Sequence, residues 1–564
     1  MIRPRSREAG PMAWPRWRAE RALPWLWAAA VFLLVVLPVA GLVWRSLRVP
    51  GRAGLGLGNY AAALVEDGVA LAAWHSLVIG LGSTAGALLL AVPFALLVSR
   101  TDLPGREFFR SVAVLTFAAP SFIAALGWIL LLGPRGGLLN EYLLGPLGLP
   151  RLNIYGPGGI VLVLVLFLYP LIFLPVSDAL DNMDARLEEA AASLGASRRR
   201  VLRSVTLPLI TPTVLAGAML VFISAFAIFG PIALLGGPVG YETIPSALLR
   251  MMAFPPRIEL AAVLGLPVIV LLGAILAAQH RVLGRRRFVT GAGKPLRPRR
   301  WRLGVWRWPA FLFGAAVMLL SVVLPFGVLL LTSFRRAVGL PLRPENLVLL
   351  DNYRLLLAEP GVLISFWNSL WISALGALLA VALALVAGWL AARGSIRWLR
   401  RVIAPAMLAP LAFPGAVLGI AAIIAYSGSP LWMGGTLGII LVAFVIRVLP
   451  QSYSYLAAGF EQLNREHEEA ARSLGAGWVG TARRVLVPLL RGPLLSVGVL
   501  NFVLLFRELD ISVFLYTGAN PVAPVLLYQL AIESRFQLVG ALSVVILAIN
   551  LTVVWLARLA LRTP

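Results

Sequence analysis

Apolar runs of about twenty residues follow one another along the whole chain, separated by short stretches that hold most of the charge. A helix needs about 20 apolar residues to cross the roughly 30 Å of bilayer hydrocarbon, so each run predicts a membrane span. The first runs from Trp25 to Trp44, and five more follow over 71–98, 111–133, 159–179, 212–234 and 259–280. Six others fall at 309–331, 366–391, 402–426, 436–457, 492–516 and 537–557. The pattern predicts an all-α membrane protein of about 12 transmembrane helices, six per half. Arg3, Arg5, Arg7, Arg16, Arg18 and Arg21 precede the first run. That run is longer than a signal-peptide core and ends in Trp44-Arg45 instead of a small-residue cleavage site, so it reads as a retained span.

The two halves are copies. Glu188-Glu189-Ala190-Ala191-Ala192-Ser193-Leu194-Gly195-Ala196, followed by Leu207-Pro208, returns as Glu468-Glu469-Ala470-Ala471-Arg472-Ser473-Leu474-Gly475-Ala476, followed by Val487-Pro488, at an offset of 280. Several anchors at one offset mark a duplicated unit. Asn59-Tyr60 matches Asn352-Tyr353, and Trp74 and Ser76 match Trp367 and Ser369, at an offset of 293. The outer loop from Pro134 to Pro157 is the place for the extra residues of the first half. Six spans return the chain to its starting side, so the repeats are parallel and related by an axis along the membrane normal.

Within the repeated stretch, Leu187, Ala190, Ala191 and Leu194 follow i, i+3, i+4, i+7 spacing, the apolar face of a short helix. Asp184 is its expected N-cap, with Asn464 as counterpart. Gly195 and Gly475 stand where a helix closes in a left-handed residue. A second short helix is expected from Ser197 through Val201 and Val205, with Pro208 stopping it. The product is a helix-bend-helix loop.

This pattern of Glu-Ala-Ala, three residues, Gly, and a hydrophobic-x-hydrophobic-Pro ending resembles the signature loop of ABC importer permeases, and both copies match. The resemblance implies a coupling loop on the cytoplasmic face that docks in a groove of an ATPase. It assigns that role to Glu189, Ala190, Ala191, Gly195 and Pro208, and to Glu469, Ala470, Ala471, Gly475 and Pro488. It also implies the partners: two copies of an ABC ATPase, which would hold ATP and Mg, and a periplasmic or lipid-anchored solute-binding protein. No cofactor belongs to this chain, and no homodimer is needed because both halves are fused. One departure is His467 at the position of Leu187, which weakens the apolar face of the second loop.

Composition agrees. The chain of 564 residues is 60% hydrophobic and 13% charged, against about 25% charged in soluble proteins. There is no cysteine, hence no disulfide framework or thiolate metal site. His75, His280 and His467 are far apart, and the expectation is no metal site and no catalytic residue. The net charge of +25 fits membrane lipids and topology better than nucleic acid, because basic residues flank apolar spans. Segments on the side of the N-terminus hold 35 of the 49 Lys+Arg, opposite loops hold 12, and Arg447 and Arg507 lie within spans. Positive residues prefer the cytoplasm, which places both termini and both signature loops inside a bacterial inner membrane. The outer clusters at Arg45, Arg48 and Arg52 and at Arg335 and Arg336 run against that rule. The domain division expected is 1–282 for the first half, 283–307 for a basic cytoplasmic linker and 308–564 for the second half. Lys294 in the linker lies in Gly291-Ala292-Gly293-Lys294-Pro295. A phosphate loop needs glycine where Phe288 stands and Ser or Thr where Pro295 stands, so ATP hydrolysis is expected on a separate subunit.

Ionisable groups inside spans are costly and mark function or a structural pair. The predicted span eleven holds Arg507, Glu508 and Asp510, where the first half has Ala227, Ile228 and Gly230. On a helix Arg507 and Asp510 share a face and pair, while Arg447 of span ten faces Glu508. Two readings stay open: ion pairs that orient helices, or groups lining the translocation path. The run from Phe506 to Leu515, with Phe229-Gly230-Pro231 in the first half, resembles fused ferric-iron-type permeases. Thiamine, polyamine and phosphonate permeases share the architecture or the loops. A gradient-driven secondary transporter would explain two six-span halves but not the two loops, and a membrane enzyme would need clustered acid/base residues that the outer loops lack.

Overall fold

The computed structural model describes residues 18–49, 54–66, 68–284, 300–394 and 396–562. Arg3 to Arg16, Arg52 and residues 285–299 of the linker lie outside them. Among the described residues, nine helices are long and apolar enough to cross a membrane, and three bent helix pairs raise the number to twelve. The continuous spans are Ala22–Leu47, Val69–Arg100, Pro157–Asp181, Arg198–Ala227 and Ile258–Leu283 in the first half. Gly304–Ser333, Val362–Arg393, Leu437–Gln462 and Phe536–Leu559 follow in the second.

The bent pairs are spans three, nine and eleven, with bends of 101°, 111° and 80°. Spans three and nine break just before Pro120 and Pro414. A residue preceding proline is pushed out of the helical region, and Ala119 and Phe413 are extended, with ψ of 152° and 109°.

Pro208 does not stop its helix, contrary to the sequence expectation. The chain runs unbroken from Arg198 to Ala227 because the turn before the proline widens into a π turn, Leu202–Thr206. The same device recurs at Phe32–Val36, Leu319–Val323 and Ala482–Leu486, and a further π turn, Asn140–Leu144, runs out into a turn before Pro146. Each π turn ends two residues before a proline: Pro38, Pro146, Pro208, Pro325 and Pro488. Proline lacks an N–H and its ring crowds the carbonyl four residues back. A widened turn holds that carbonyl away and lets the helix continue. In the second half the continuation is shorter, and the helix turns by 80° between Leu489 and Arg491.

The first span of each half packs against the other half. Span one lies on Gly415–Tyr426 and span seven on Ser121–Leu132. Tyr426 donates a hydrogen bond to the Leu33 carbonyl at 2.7 Å. At the matching crossing, a Cβ on Gly127 would lie 2.3 Å from the Pro325 carbonyl oxygen, so only glycine fits this contact. The halves are therefore interlocked.

Candidate coupling loops and transport path

Anchors at the end of the bundle away from the two loops come in matched pairs. Asn59 donates to the carbonyls of Ser46 and Arg48 at 3.0 and 2.7 Å, and Asn352 to those of Ser333 and Arg335 at 2.9 and 2.8 Å. The Tyr60 and Tyr353 hydroxyls reach Ser46 and Ser333 at 3.0 and 2.8 Å. Ser76 and Ser369 each accept a backbone N–H at 2.8 Å, from Ile244 and Ala523. Glu66 and Arg257 form a two-pronged pair at 2.5 and 2.5 Å, matched by Glu359 and Arg535 at 2.8 and 2.6 Å. The arginine beside each carboxyl holds its pKa below the ordinary range. These contacts explain part of the Arg45 and Arg335 clusters. Arg45 pairs with Glu259 at 3.1 Å, Arg48 and Arg335 supply carbonyls to the clamps, and the buried Arg335 donates to the Leu340 carbonyl.

The two loops form as expected at their bends. The Asp184 side chain accepts the Arg186 N–H at 3.0 Å and caps Ala185–Ser193, and Asn464 accepts from Glu466 at 3.3 Å before Glu466–Ser473. Gly195 and Gly475 have φ of +81° and +82°. Their N–H groups bond to the Ala192 and Arg472 carbonyls at 2.9 Å each, and the following Ala196 and Ala476 N–H groups bond to Ala191 and Ala471 at 3.1 Å. This closes the helix in the left-handed manner that favours glycine. Glu189, Ala190, Glu469 and Ala470 are exposed. Leu194 and Leu474 stand 89% and 90% exposed. Leu187 and His467 are both exposed, so the difference between them falls outside the packing.

What sequence reasoning missed is the root of each loop. Glu188 and Glu468, one residue before the exposed glutamates, are buried. Glu188 lies 3.4 Å from Arg100, at the end of span two. Glu468 lies 2.9 Å from Arg393, at the end of span eight. Arg100 and Arg393 share the 293 offset of those anchors, which is the signal that would have found them. The remaining partners differ. The Thr206 hydroxyl donates to Glu188 at 2.7 Å, tying the loop to its own second helix. Glu468 instead accepts from the Trp389 indole at 3.2 Å, and Arg393 also donates to the Leu463 carbonyl at 3.0 Å.

The charged segment of span eleven is not helical, which corrects the expected 492–516 span and the shared face of Arg507 and Asp510. The helix Arg491–Phe506 ends, and a short helix Ser512–Leu515 follows. Glu508 turns back to accept the Ile511 N–H at 3.3 Å, a local bond that competes with helix continuation. The first half breaks at the same place. Its helix ends at Ala227 instead of 234, and Gly230–Gly236 starts afresh with Pro231 near its N-terminus. Arg507 donates to the Ala119 carbonyl of the first half, and Asp510 accepts the Gly230 N–H at 3.2 Å. Arg447 does face Glu508, at 3.8 Å.

A family model described as "Binding-protein-dependent transport system inner membrane component" matches residues 87–289 and 384–562, one match in each half. The chain belongs to this family. It is a multi-pass inner-membrane permease of the ABC importer type, built as two fused halves. It is 27% identical to the ferric transport system permease protein FbpB of Actinobacillus pleuropneumoniae, over 84% of this chain and 68% of that protein. It is 27% identical to the probable ABC transporter permease protein y4fN of Sinorhizobium fredii, over 97% and 98% of the two chains. Over 29% of its length it is 31% identical to the spermidine/putrescine transport system permease protein PotB of Escherichia coli, of which 60% is covered.

Proposed function

We propose that this permease imports ferric iron delivered by a periplasmic binding protein, and that two copies of a separate ABC ATPase drive it. The observation that carries the energetic half of this reading is the repeated loop. Each copy is rooted by a buried glutamate and presents an exposed Glu, an exposed Ala and an almost fully exposed Leu at the same place. Exposed apolar side chains beside a carboxylate suit a groove with an apolar floor and a basic rim. ATP and Mg²⁺ belong on the ATPase, and the loops and both termini on the cytoplasmic side. ATPase closure then pushes both loops, and the two halves rock to open the path alternately outward and inward. The iron relatives support the solute assignment, while the partial likeness to the spermidine/putrescine permease keeps a polyamine as the second reading.

Affinity purification from native membranes in mild detergent tests the class. A P-loop ATPase is expected at two copies per permease. Because the chain has no cysteine, Ala190→Cys and Ala470→Cys should each crosslink to that subunit. Absence of any ATPase under conditions that preserve other complexes would leave a gradient-driven transporter as the reading to pursue. Uptake of radioactive ferric iron against labelled spermidine then separates the two solutes.

A further inference from the structure

Gly230 and Asp510 occupy equivalent positions in the two halves, 280 residues apart, and they are hydrogen-bonded to each other. A two-fold axis exchanges each residue with its mate, so a residue touching its own mate lies at the axis. The break at 507–510 is thus at the centre of the molecule. Arg447 reaches into this region through Glu508. Its side chain is 39% exposed, well inside the span Leu437–Gln462. A charged group at that depth requires water or a fixed partner in place of lipid, and Glu508 covers it on one side only.

Arg447, Gln451, Ser454 and Tyr455 follow i, i+4, i+7, i+8 spacing and form one helix face. Arg447, Ser454 and Tyr455 are exposed, and Gln451 is half-buried with its amide on Asn501 at 2.8 Å. The equivalent residues of the first half are Phe167, Leu171, Leu174 and Pro175, and Asn501 corresponds to Val221. The face is polar in the second half and its counterpart in the first is apolar.

We propose that this face of span ten is the wall along which the solute moves, and that it takes a solute with an anionic or acceptor-rich surface. The inference rests on the importer reading only for the word solute. Of the pair at the axis, the cation is the group open to water, since Glu508 is only 13% exposed. The groups that follow toward the loop end are neutral: the Gln451 amide, with one N–H on Asn501 at 2.8 Å, the Ser454 hydroxyl, which gives its proton to the Pro450 carbonyl at 2.8 Å, and the Tyr455 phenol, so Arg447 sets the charge that the solute meets. A bare cation or a polyamine meets the wrong charge first. A ferric ion on this path crosses inside a complex whose outer atoms are anionic oxygens.

The cysteine-free chain allows a direct test. Gln451→Cys and Ser454→Cys are compared with Leu171→Cys and Leu174→Cys, in membranes opened to reagent from both sides. The probes are two membrane-impermeant methanethiosulfonates, one carrying a sulfonate and one a trimethylammonium. Both second-half thiols should be modified, and both first-half thiols should react at least tenfold more slowly. At Ser454→Cys, two helical turns or about 10 Å from Arg447, the rate ratio of anion to cation, relative to a small thiol in solution, should favour the anion by up to about fourfold, the opposite effects of one unit charge on the two probes at that distance through water. It should fall below one when Arg447→Gln leaves Glu508 uncompensated. Equal reactivity in the two halves, no reaction of the second-half thiols, or a ratio indifferent to Arg447 would each overturn the proposal. None of these readouts needs the ATPase, so a missing ATPase would count against the importer reading alone.

Discussion

The two ends of the helix bundle contrast sharply. At the end away from the loops, Asn59 and Asn352, Ser76 and Ser369, and Glu66 and Glu359 make the same bonds to equivalent atoms. At the loop end, Glu188 and Glu468 keep the arginine but exchange the second partner, Thr206 for Trp389. The clamps at the far end fasten short segments to helix ends, a task that duplication leaves unchanged. The loop roots must meet spans that run differently, straight through Pro208 in one half and bent by 80° after Pro488 in the other. Divergence has collected at the loop roots and where the halves touch each other.

The largest test of this contrast is at the roots. Removing one partner of a buried ion pair costs about 3–5 kcal/mol. Glu188→Ala should fall in that range, because Arg100 is fully buried and, among the described residues, Glu188 is the one carboxylate within 4.0 Å of it. Glu468→Ala should cost less, since Arg393 keeps the Leu463 carbonyl. Thermal unfolding in detergent would show the difference, and equal losses would break the comparison.

Next is Thr206→Val, which removes a bond to a charged acceptor worth about 1.5–3 kcal/mol. The second half offers no counterpart, because Leu486 occupies that place. The same melting assay, with the loop's protease sensitivity as a local readout, should find the first loop loosened and the second unchanged.

The bends should behave alike. Gly195→Val and Gly475→Val each force a side chain into a left-handed backbone at about 1–2 kcal/mol, with open space around both positions. Matched losses in stability and in ATPase capture are expected, and a one-sided effect would show that one loop carries the docking.

The smallest effect is at the Glu66–Arg257 and Glu359–Arg535 pairs. Glu66 and Glu359 have carboxyl pKa values lowered by Arg257 and Arg535. Their contribution is complete above the ordinary carboxylate range and is lost as pH falls through the lowered values. Both pairs are partly exposed, so each is worth about 0.2–1 kcal/mol. Glu66→Gln and Glu359→Gln should lower the melting temperature slightly at pH 7 and converge with the parent as pH falls through the lowered carboxyl values, equally in both halves.

Spans, duplication and the loop bends were legible because each rests on local physics: apolar length, a fixed offset, and a glycine closing a helix. The breaks at 228–229 and 507–510 were not, since apolar composition runs on through Ile228 and Phe229 while the backbone does not. Asp510 bonding to Gly230 and Arg507 reaching Ala119 are contacts across hundreds of residues that no helical periodicity encodes. Glu188 was overlooked beside Glu189 because neighbouring glutamates look alike until burial separates them.

The π turn before Pro208 sets an angle. Successive α-helical residues advance by about 100° around the axis, and a π turn takes in roughly one residue more than the α turn it replaces. The residue added within Leu202–Thr206 therefore fixes the azimuth at which the loop's second helix is presented to span five. Deleting one residue there would leave the composition almost untouched and the helix more regular. It would also swing the loop by about 100° around the axis of that helix, aiming Glu189 and Leu194 at the wrong neighbour.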